Sequence, residues 1–569
     1  MINETESLQK TEEQIPEQDN PYAYLDRNFS SENFKIEIKN LPKFYGIGEL
    51  KKLLNNKLKL NSNKIKTPRK NSPYAFVCFR NEDDRDKAII VLNECKWKGN
   101  QLQATFAKPS ADPLVKKRKE NSDKFNVKKM KMEKLTVEER IKLSTIPLAD
   151  VPYETQLQSK QDKVRNLLKQ LANDIGNQNI EIREYLDKQK QKFDGLPCQL
   201  LDIQYSTNID GYRNKCEFSI GINSETQQPT VGFRIGAYVN GIIEIGPVEH
   251  LHHIPKAMKV VVKVFENFVR SSKLKVYNAE LQTGHFKQLT VRTATNQVMV
   301  VVGIDPQKLT DNEIKEFKQE LVDFFTKGAG KDANVTSLYY EALVKRNPGE
   351  SALPSSYLFG ETHIYETILD KKFRISPEAF FQINTEAAEI LYKTAINLAE
   401  PSKNSTMVDV CCGTGTIGLC FAEHCGQVLG LELVPQAIID AKENAILNKI
   451  ENSEFFTGKA EEILGSVCYN SKHEDIFAVV DPPRAGLHQK AIHQLRKIKK
   501  INRLIYISCN PKLAMKNFID LSRPESKYLH GQCFVPVKAV AVDLFPYTDH
   551  YELVICYKRW NLVKSDSNV

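Results

Sequence analysis

The sequence predicts a multidomain protein of mixed α/β and α+β class whose C-terminal part is a doubly wound parallel sheet. Three observations lead there. At 569 residues the chain is too long for a single hydrophobic core. From Met407 onward, short apolar strands alternate with helical segments, the pattern of βαβ units. Those strands are tipped by glycine, carboxylate and cysteine, at the sheet edge where open α/β folds bind their ligands. Hydrophobic residues at 41% and charged residues at 27% fit globular domains joined by some disordered segments. A net charge of +9 suits a polyanionic partner without requiring one. The start, MINETESLQKTEEQIPEQDN, is neither basic nor apolar, so no signal peptide is expected. No stretch approaches the roughly 18 apolar residues that cross a bilayer, and no membrane association is expected. The 12 cysteines are scattered, which favours free thiols in a reducing compartment, the cytoplasm and/or nucleus.

Taken in order, residues 1–30 are polar and expected to be disordered. Residues 31–109 read as strand (FKIEIKNL), helix (GIGELKKLLNNKL), strand (YAFVCF), helix (EDDRDKAIIVLNEC) and strand (NQLQATFA), a β-α-β-β-α-β order with one weak middle strand. This order resembles an RNA-recognition motif, a fold that stacks bases on aromatic rings of its central strands. Tyr74 and Phe76 fall on alternate positions, face one side of the sheet and match two stacking positions. The chain departs from the pattern at Glu37, where an aromatic is usual, and at Ser72-Pro73, where a basic-Gly pair is usual. A domain used for protein contacts therefore stays open beside base stacking. Residues 110–150 read as a basic linker with KKRK at 116–119 and KKMKMEK at 128–134. These runs suit solvated charge, a nuclear import signal or a phosphate-contacting arm. Residues 151–375 mix helices (KVRNLLKQLANDI, AMKVVVKVFENFV) with strands (TVGFRI, QLTVRTA, QVMVVVGI), and so predict a central α+β RNA-binding domain. In its GYRNKCEFSI stretch Tyr212, Arg213 and Lys215 are candidates to meet bases and phosphates, with a plain exposed strand as the competing reading.

Residues 376–561 form the Rossmann-like domain. Gly413, Gly415 and Gly418 satisfy G-x-G-x-x-G after the strand MVDVCC, and Glu432 follows at the tip of VLGLE. Glycines give the sharp turn and let a ligand approach the backbone, and the carboxylate can accept both ribose hydroxyls. This much fits a nicotinamide dinucleotide as well as S-adenosylmethionine. Three features favour the methyl donor. Asp409 before the loop would offset a sulfonium or ammonium charge but repel a pyrophosphate. The final strands, VKAVAVDLF and YELVICYK, are joined by a short turn and must be antiparallel, the methyltransferase variation on this sheet. Asp481-Pro482-Pro483 at a strand tip is typical of enzymes that methylate planar rings. Ser376 and Pro377 predict the cap and first position of a helix carrying Gln382.

A cysteine after another strand, Cys509 in Ser-Cys-Asn-Pro, suits a demanding methylation. Uracil C5 is a poor nucleophile, and a thiolate adding at C6 makes C5 reactive. A base must then take the C5 proton, and the pocket must accept an extruded base. Backbone N–H groups and nearby Arg484 would favour the Cys509 thiolate.

SPEAFFQINTEAAEILY, DVCCGTGTIGL, VDPPRAGLH, YISCNP and FPYTDHYELV, in that order, closely resemble the RNA uracil-5 methyltransferases over about 180 residues. YRNKCEFS extends the likeness to about 400. The resemblance is closest to the eukaryotic branch carrying an N-terminal RNA-recognition motif. It implies S-adenosylmethionine as cofactor and the T-loop uridine 54 of tRNA as substrate. It also implies Cys509 as nucleophile and Glu552 as the base that takes the C5 proton. Cofactor contacts are implied for Gln382, Cys411, Gly413, Gly415, Thr416, Glu432 and Asp481, with Cys411 and Thr416 differing from the bacterial residue types. Some ribosomal-RNA relatives hold an iron–sulfur cluster on clustered cysteines, a spacing this chain lacks. Neither that cluster nor a metal at the EHLHH stretch is expected. The competing readings are a ribosomal-RNA uracil-5 methyltransferase and a non-catalytic RNA-binding or folding protein. A dinucleotide oxidoreductase is supported by the glycine pattern alone.

Overall fold

The computed structural model describes residues 31–68, 72–108, 135–235, 244–278, 281–344 and 353–566. The expected disorder of residues 1–30 and both basic runs of the linker lie outside them. The chain divides into two compact units, residues 1–134 and 135–569.

In the first unit, the described residues form a four-stranded antiparallel sheet in the order Lys64–Lys66, Ala75–Cys78, Lys35–Lys39, Gln103–Phe106. Alternation sets its two faces. Ile36, Ile38, Ala75 and Val77 are fully buried against Leu50, Leu54, Ala88 and Leu92 of the helical layer. Glu37 and Phe76, which pair across the strands, point to the opposite face. Lys64–Lys66 is the weak middle strand.

The second unit holds two sheets. The central one has seven strands among the described residues, ordered Ile245–Gly246, Pro229–Arg234, Lys215–Ile222, Phe286–Ala294, Gln297–Ile304, Ser337–Ala342 and Ser356–Gly360. Helices Lys256–Ser271 and Asp311–Thr326 cover one face through Val261, Phe265, Phe317 and Leu321. The basic linker ends earlier than residue 150. Helix Val137–Thr145, started by a Thr136/Glu139 capping box, buries Ile141 in this same core.

The larger sheet has nine strands among the described residues. Its main order is Ser453–Thr457, Gln427–Glu432, Ser405–Val410, Asp475–Val480, Ile501–Ser508, Glu552–Arg559, Phe534–Asp543 and Gln199–Leu200. The strands from Ser405 to Ser508 run parallel, and Glu552–Arg559 inserts antiparallel between its neighbours. The terminal hairpin is as the sequence requires. The boundary at residue 151 is corrected. Helix Tyr153–Gln178 buries Val164, Leu168, Leu171 and Ile175 in the core of this sheet, beside helix Pro511–Ser522. Gln199–Leu200 and Gln204–Tyr205 then add to its edge, parallel to Phe534–Asp543. Residues 153–206 thus belong to the Rossmann-like layer, and the chain, whose helix Val137–Thr145 already packs on the central sheet, supplies that sheet's strands only afterwards.

Candidate active site

The glycine loop is shaped by three residues in the left-handed region: Cys411 (φ 68°), Gly413 (φ 53°) and Gly415 (φ 80°). The amides of Cys411 and Cys412 both donate to the Leu431 carbonyl, at 3.0 and 3.1 Å, turning the chain off its strand. A Cβ on Gly413 would meet nothing within 4 Å, so this is the point where a ligand can reach the backbone. One on Gly415 would stand 3.1 Å from Ala441 and the Phe455 ring. Thr416, partly buried, opens helix Thr416–Phe421 and accepts from Tyr392 Oη at 3.4 Å. Glu432 holds the loop from the neighbouring strand. Its Oε2 accepts the Gly413 amide at 3.2 Å, and its Oε1 accepts those of Leu433 and Val434 at 2.7 and 3.0 Å.

Asp409 does a different job from the one expected. It is fully buried beneath the loop, and its Oδ2 accepts the Gly418 amide at 2.9 Å, so it braces the helix start from below. Among the described residues its buried Oδ1 has no hydrogen-bond partner, and burial pushes the carboxyl up to about 7.

Strand register assembles the reacting groups. Val480 pairs with Tyr506, Ser508 with Leu553, and Val542 with Glu552. Cys509 directly follows Ser508, and Glu552 directly precedes Leu553. Cys509 and Glu552, the expected nucleophile and base, therefore stand opposite one another at the tips of adjacent strands. Asp481 ends the next strand inward, its amide on the Val410 carbonyl at 3.4 Å. Asn510 caps helix Pro511–Ser522 by accepting the Leu513 amide, which sets Cys509 beside a helix N-terminus. Asn517 of that helix anchors the 481–488 loop through Leu487 N (2.7 Å), Leu487 O (3.1 Å) and Tyr506 Oη (2.7 Å).

The electrostatics are those of a carboxylate-rich pocket. Burial, then Glu552 and Asp481, push the Cys509 thiol up to about 11 against the opposing pull of Arg484. Burial also holds Glu552 well above the usual carboxylate range, reinforced by Asp481 and again opposed by Arg484. Asp481 is raised to about 7 by burial. Among the described residues nothing hydrogen-bonds the buried Glu552 Oε2. A cation entering this group would lower every one of these proton affinities. The orphaned oxygen of Glu552, the buried Asp481 carboxyl, the open space at Gly413 and the acidic Glu432 fit the sulfonium, ammonium and ribose of S-adenosylmethionine. A dinucleotide pyrophosphate would be repelled by these carboxylates.

Gln382 is 7% exposed, but the helix expected to carry it starts later. Ser376 and Pro377 form a turn, with Ser376 Oγ donating to Asp440 at 3.0 Å. Asn384 is the true cap of helix Thr385–Ala399, its Oδ1 accepting the Ala387 amide at 3.1 Å. Gln382 sits on the preceding loop, which the central sheet holds. Asn214 Nδ2 donates to the Gln382 carbonyl at 2.7 Å, and the Asn214 amide to that of Ile383 at 2.8 Å.

The YRNK stretch is thus partly structural. Tyr212 is 7% exposed and donates its hydroxyl to the Pro546 carbonyl at 3.2 Å, so its ring is not free to stack a base. Arg213 lines a polar cleft with Asn214, Thr385 and Glu386. Lys215 pairs with Glu217 at 2.6 Å and stands outside that cleft. Sequence reasoning passed over Asn214 and also Phe380, 69% exposed two residues before Gln382. The FFQ pattern signals two adjacent rings that must face opposite ways, one of them outward.

In the first unit, the Tyr74 and Phe76 rings meet edge to face at 5.8 Å. Lys35 Nζ lies 4.8 Å over the Phe76 ring and 3.0 Å from Glu32, and Lys39 pairs with Glu37 at 3.4 Å. Among the described residues, no three metal-ligating side chains gather, and no helix is long and apolar enough to cross a membrane. His253 of EHLHH is buried against the rings of Phe233 and Tyr212.

The fold and this site define a Rossmann-like methyltransferase dependent on S-adenosylmethionine. Residues 356–560 match the family model for tRNA (uracil-5-)-methyltransferase, and residues 36–103 that for the RNA recognition motif. The tRNA (uracil-5-)-methyltransferase homolog A of Mus musculus is 42% identical over 541 residues, 95% of this chain and 86% of that protein. The Homo sapiens homolog A is 40% identical over 541 residues, covering 95% and 85%. Homolog B of Danio rerio is 40% identical over 441 residues, covering 76% of this chain and 90% of its own. The chain belongs to the tRNA (uracil-5-)-methyltransferase family.

Proposed function

We propose that this protein methylates C5 of uridine 54 in the T loop of tRNA through a covalent adduct between Cys509 and C6. Bound S-adenosylmethionine supplies the electrophilic methyl group. Cys509 Sγ adds to C6, and the electrons of the C5–C6 double bond move into an enolate that makes C5 nucleophilic. After C5 gains the methyl group, Glu552 takes the C5 proton. The electrons of that C–H bond restore the double bond, and the C6–S bond breaks to free the thiolate. Desolvation makes Glu552 a stronger base than a carboxylate in water, which suits it to a carbon acid. Arg484, which favours the charged forms of both Cys509 and Glu552, stabilises negative charge as it moves through the site. Asp481 sits between cofactor loop and thiol, where it can offset the donor's charge.

The observation that carries this reading is the register that sets Cys509 opposite Glu552 beside the glycine loop. The test uses tRNA containing 5-fluorouracil. Fluorine cannot leave as a cation, so wild-type enzyme with cofactor should be trapped as an adduct that Cys509→Ala abolishes. Absence of adduct from enzyme that methylates ordinary tRNA would reject the mechanism. A U54C tRNA that is still methylated would reject the position.

A further inference from the structure

Glu552 has a demanding aim and little to hold it: its Oε2 is buried, and no described residue hydrogen-bonds that atom. Its position is therefore set by its backbone, and the backbone enters from the 544–551 loop. That loop joins two antiparallel strands, with Val542 opposite Glu552, so any shift in its first residues moves the base relative to Cys509.

Four successive loop carbonyls are each gripped by a different part of the fold. Leu544 O accepts from Asn384 Nδ2 at 3.2 Å, and Phe545 O accepts from Lys160 Nζ at 3.0 Å. Pro546 O accepts from Tyr212 Oη at 3.2 Å, and Tyr547 O from the Leu148 amide at 2.9 Å. The Tyr547 amide donates to Gln156 Oε1 at 2.8 Å. At the centre is a charge pair in which both side chains have no exposed surface: Lys160 Nζ stands 2.7 Å from Asp543 Oδ1. The same Asp543 oxygen accepts the Phe545 amide at 2.9 Å, and Asp543 Oδ2 accepts Tyr153 Oη at 3.1 Å. Lys160 therefore ties the end of one strand to the first turn of the loop, using a charge whose burial is costly. A neutral side chain could fill the space, but it could not hold Asp543 and the Phe545 carbonyl together.

We propose that Lys160 is a positioning residue for the proton-abstraction step, acting through Asp543 and the 544–547 backbone to aim Glu552. This rests on the reading of Glu552 as the base. Helix Tyr153–Gln178 then has a role beyond packing, since its first turns carry Tyr153, Gln156 and Lys160, all of which bind this loop or its anchor.

The test separates adduct formation from its resolution. In Lys160→Met, the adduct with 5-fluorouracil tRNA should form at the wild-type rate, because that step does not need the base. Turnover on ordinary tRNA should fall about 100-fold, the scale of a 1 Å misplacement. The 5-deuterated uridine substrate should then show a primary isotope effect larger than in wild type. A merely structural role would lower both steps together and leave the isotope effect unchanged, and that result overturns the inference. Wild-type turnover by Lys160→Met overturns it too. If the single variant fails to fold, Lys160→Met/Asp543→Asn removes both charges, and the same isotope effect is expected. Glu552→Gln is the reference. Normal C5 proton release by it overturns the base assignment and this inference with it, whereas a defect there without one in the Lys160 variants overturns the inference alone.

Discussion

A thiol meant to attack carbon should be poorly reactive in the unliganded enzyme, and labelling by a small disulfide such as 4,4′-dithiodipyridine measures this. Cys509 is pushed up to about 11. At pH 7.5 its thiolate fraction is then about 3 in 10,000, against about 1 in 10 for a free cysteine near 8.5, a ratio of roughly 300. The rarer thiolate is also the more nucleophilic. With a Brønsted coefficient of about 0.4–0.5, some 2.5 units return about 13-fold. Ionisation wins, and Cys509 should react about 20-fold more slowly than free cysteine. Its rate should still be climbing about tenfold per pH unit at pH 9. The assay is timed labelling without cofactor, quenched with acid and read by mass spectrometry on the peptide containing Cys509. Arg484→Gln removes the charge that favours the thiolate and should slow labelling. A labelling rate that levels off below pH 8.5 would refute the argument.

Three further outcomes are expected. Asp409, raised to about 7, contributes stability that is fully present below its unfolded value of about 3.9 and is lost as pH rises through 7. Asp409→Asn should therefore flatten the fall in urea midpoint between pH 5 and 8, and an unchanged slope would place its origin elsewhere. Gly413→Ala puts a methyl group into open space at φ 53°, so it should cost only about 1 kcal/mol of stability. It should nevertheless weaken S-adenosylmethionine binding about tenfold or more by calorimetry, and wild-type affinity would show that the ligand does not approach there. Asn384→Ala removes a helix cap and the partner of the Leu544 carbonyl. The loss should be about 2–4 kcal/mol by urea denaturation, and a loss below about 0.5 kcal/mol would show the cap is dispensable.

The parts of this molecule that could be read from the chain are those whose signals are local. Asp481, Cys509 and Glu552 were legible because each sits at the end of an apolar strand, and strand ends on one sheet share an edge. The β-α-β-β-α-β unit was legible because its periodicity lies within some 75 residues. Non-local pairing hid the rest. Ser376-Pro377 has the look of a helix start, but Asp440, far along the chain, claims the Ser376 hydroxyl, and the working cap is Asn384. Tyr212 looks like an exposed strand aromatic until the Pro546 carbonyl, more than three hundred residues away, is brought to its hydroxyl. Asp409 has the place of a ligand-facing carboxylate, and only the fold shows it turned under the loop toward Gly418. Residues 153–206 follow the usual amphipathic pattern, and nothing within them says which of two sheets they will cover.

That early segment has a consequence for how the molecule can be divided. After helix Val137–Thr145 joins the core of the seven-stranded sheet, the polypeptide crosses to start the catalytic layer, leaves it to build the seven-stranded sheet, and returns near Thr385 to finish. The middle portion is therefore moored at both ends, like a panel hinged along two sides, and it cannot swing away as a domain on a single tether could. A fragment beginning at residue 376 would lack the long helix over Phe518 and Leu521 and would leave the outer margin of Phe534–Asp543 bare. Such an unprotected strand invites chain-to-chain association rather than catalysis.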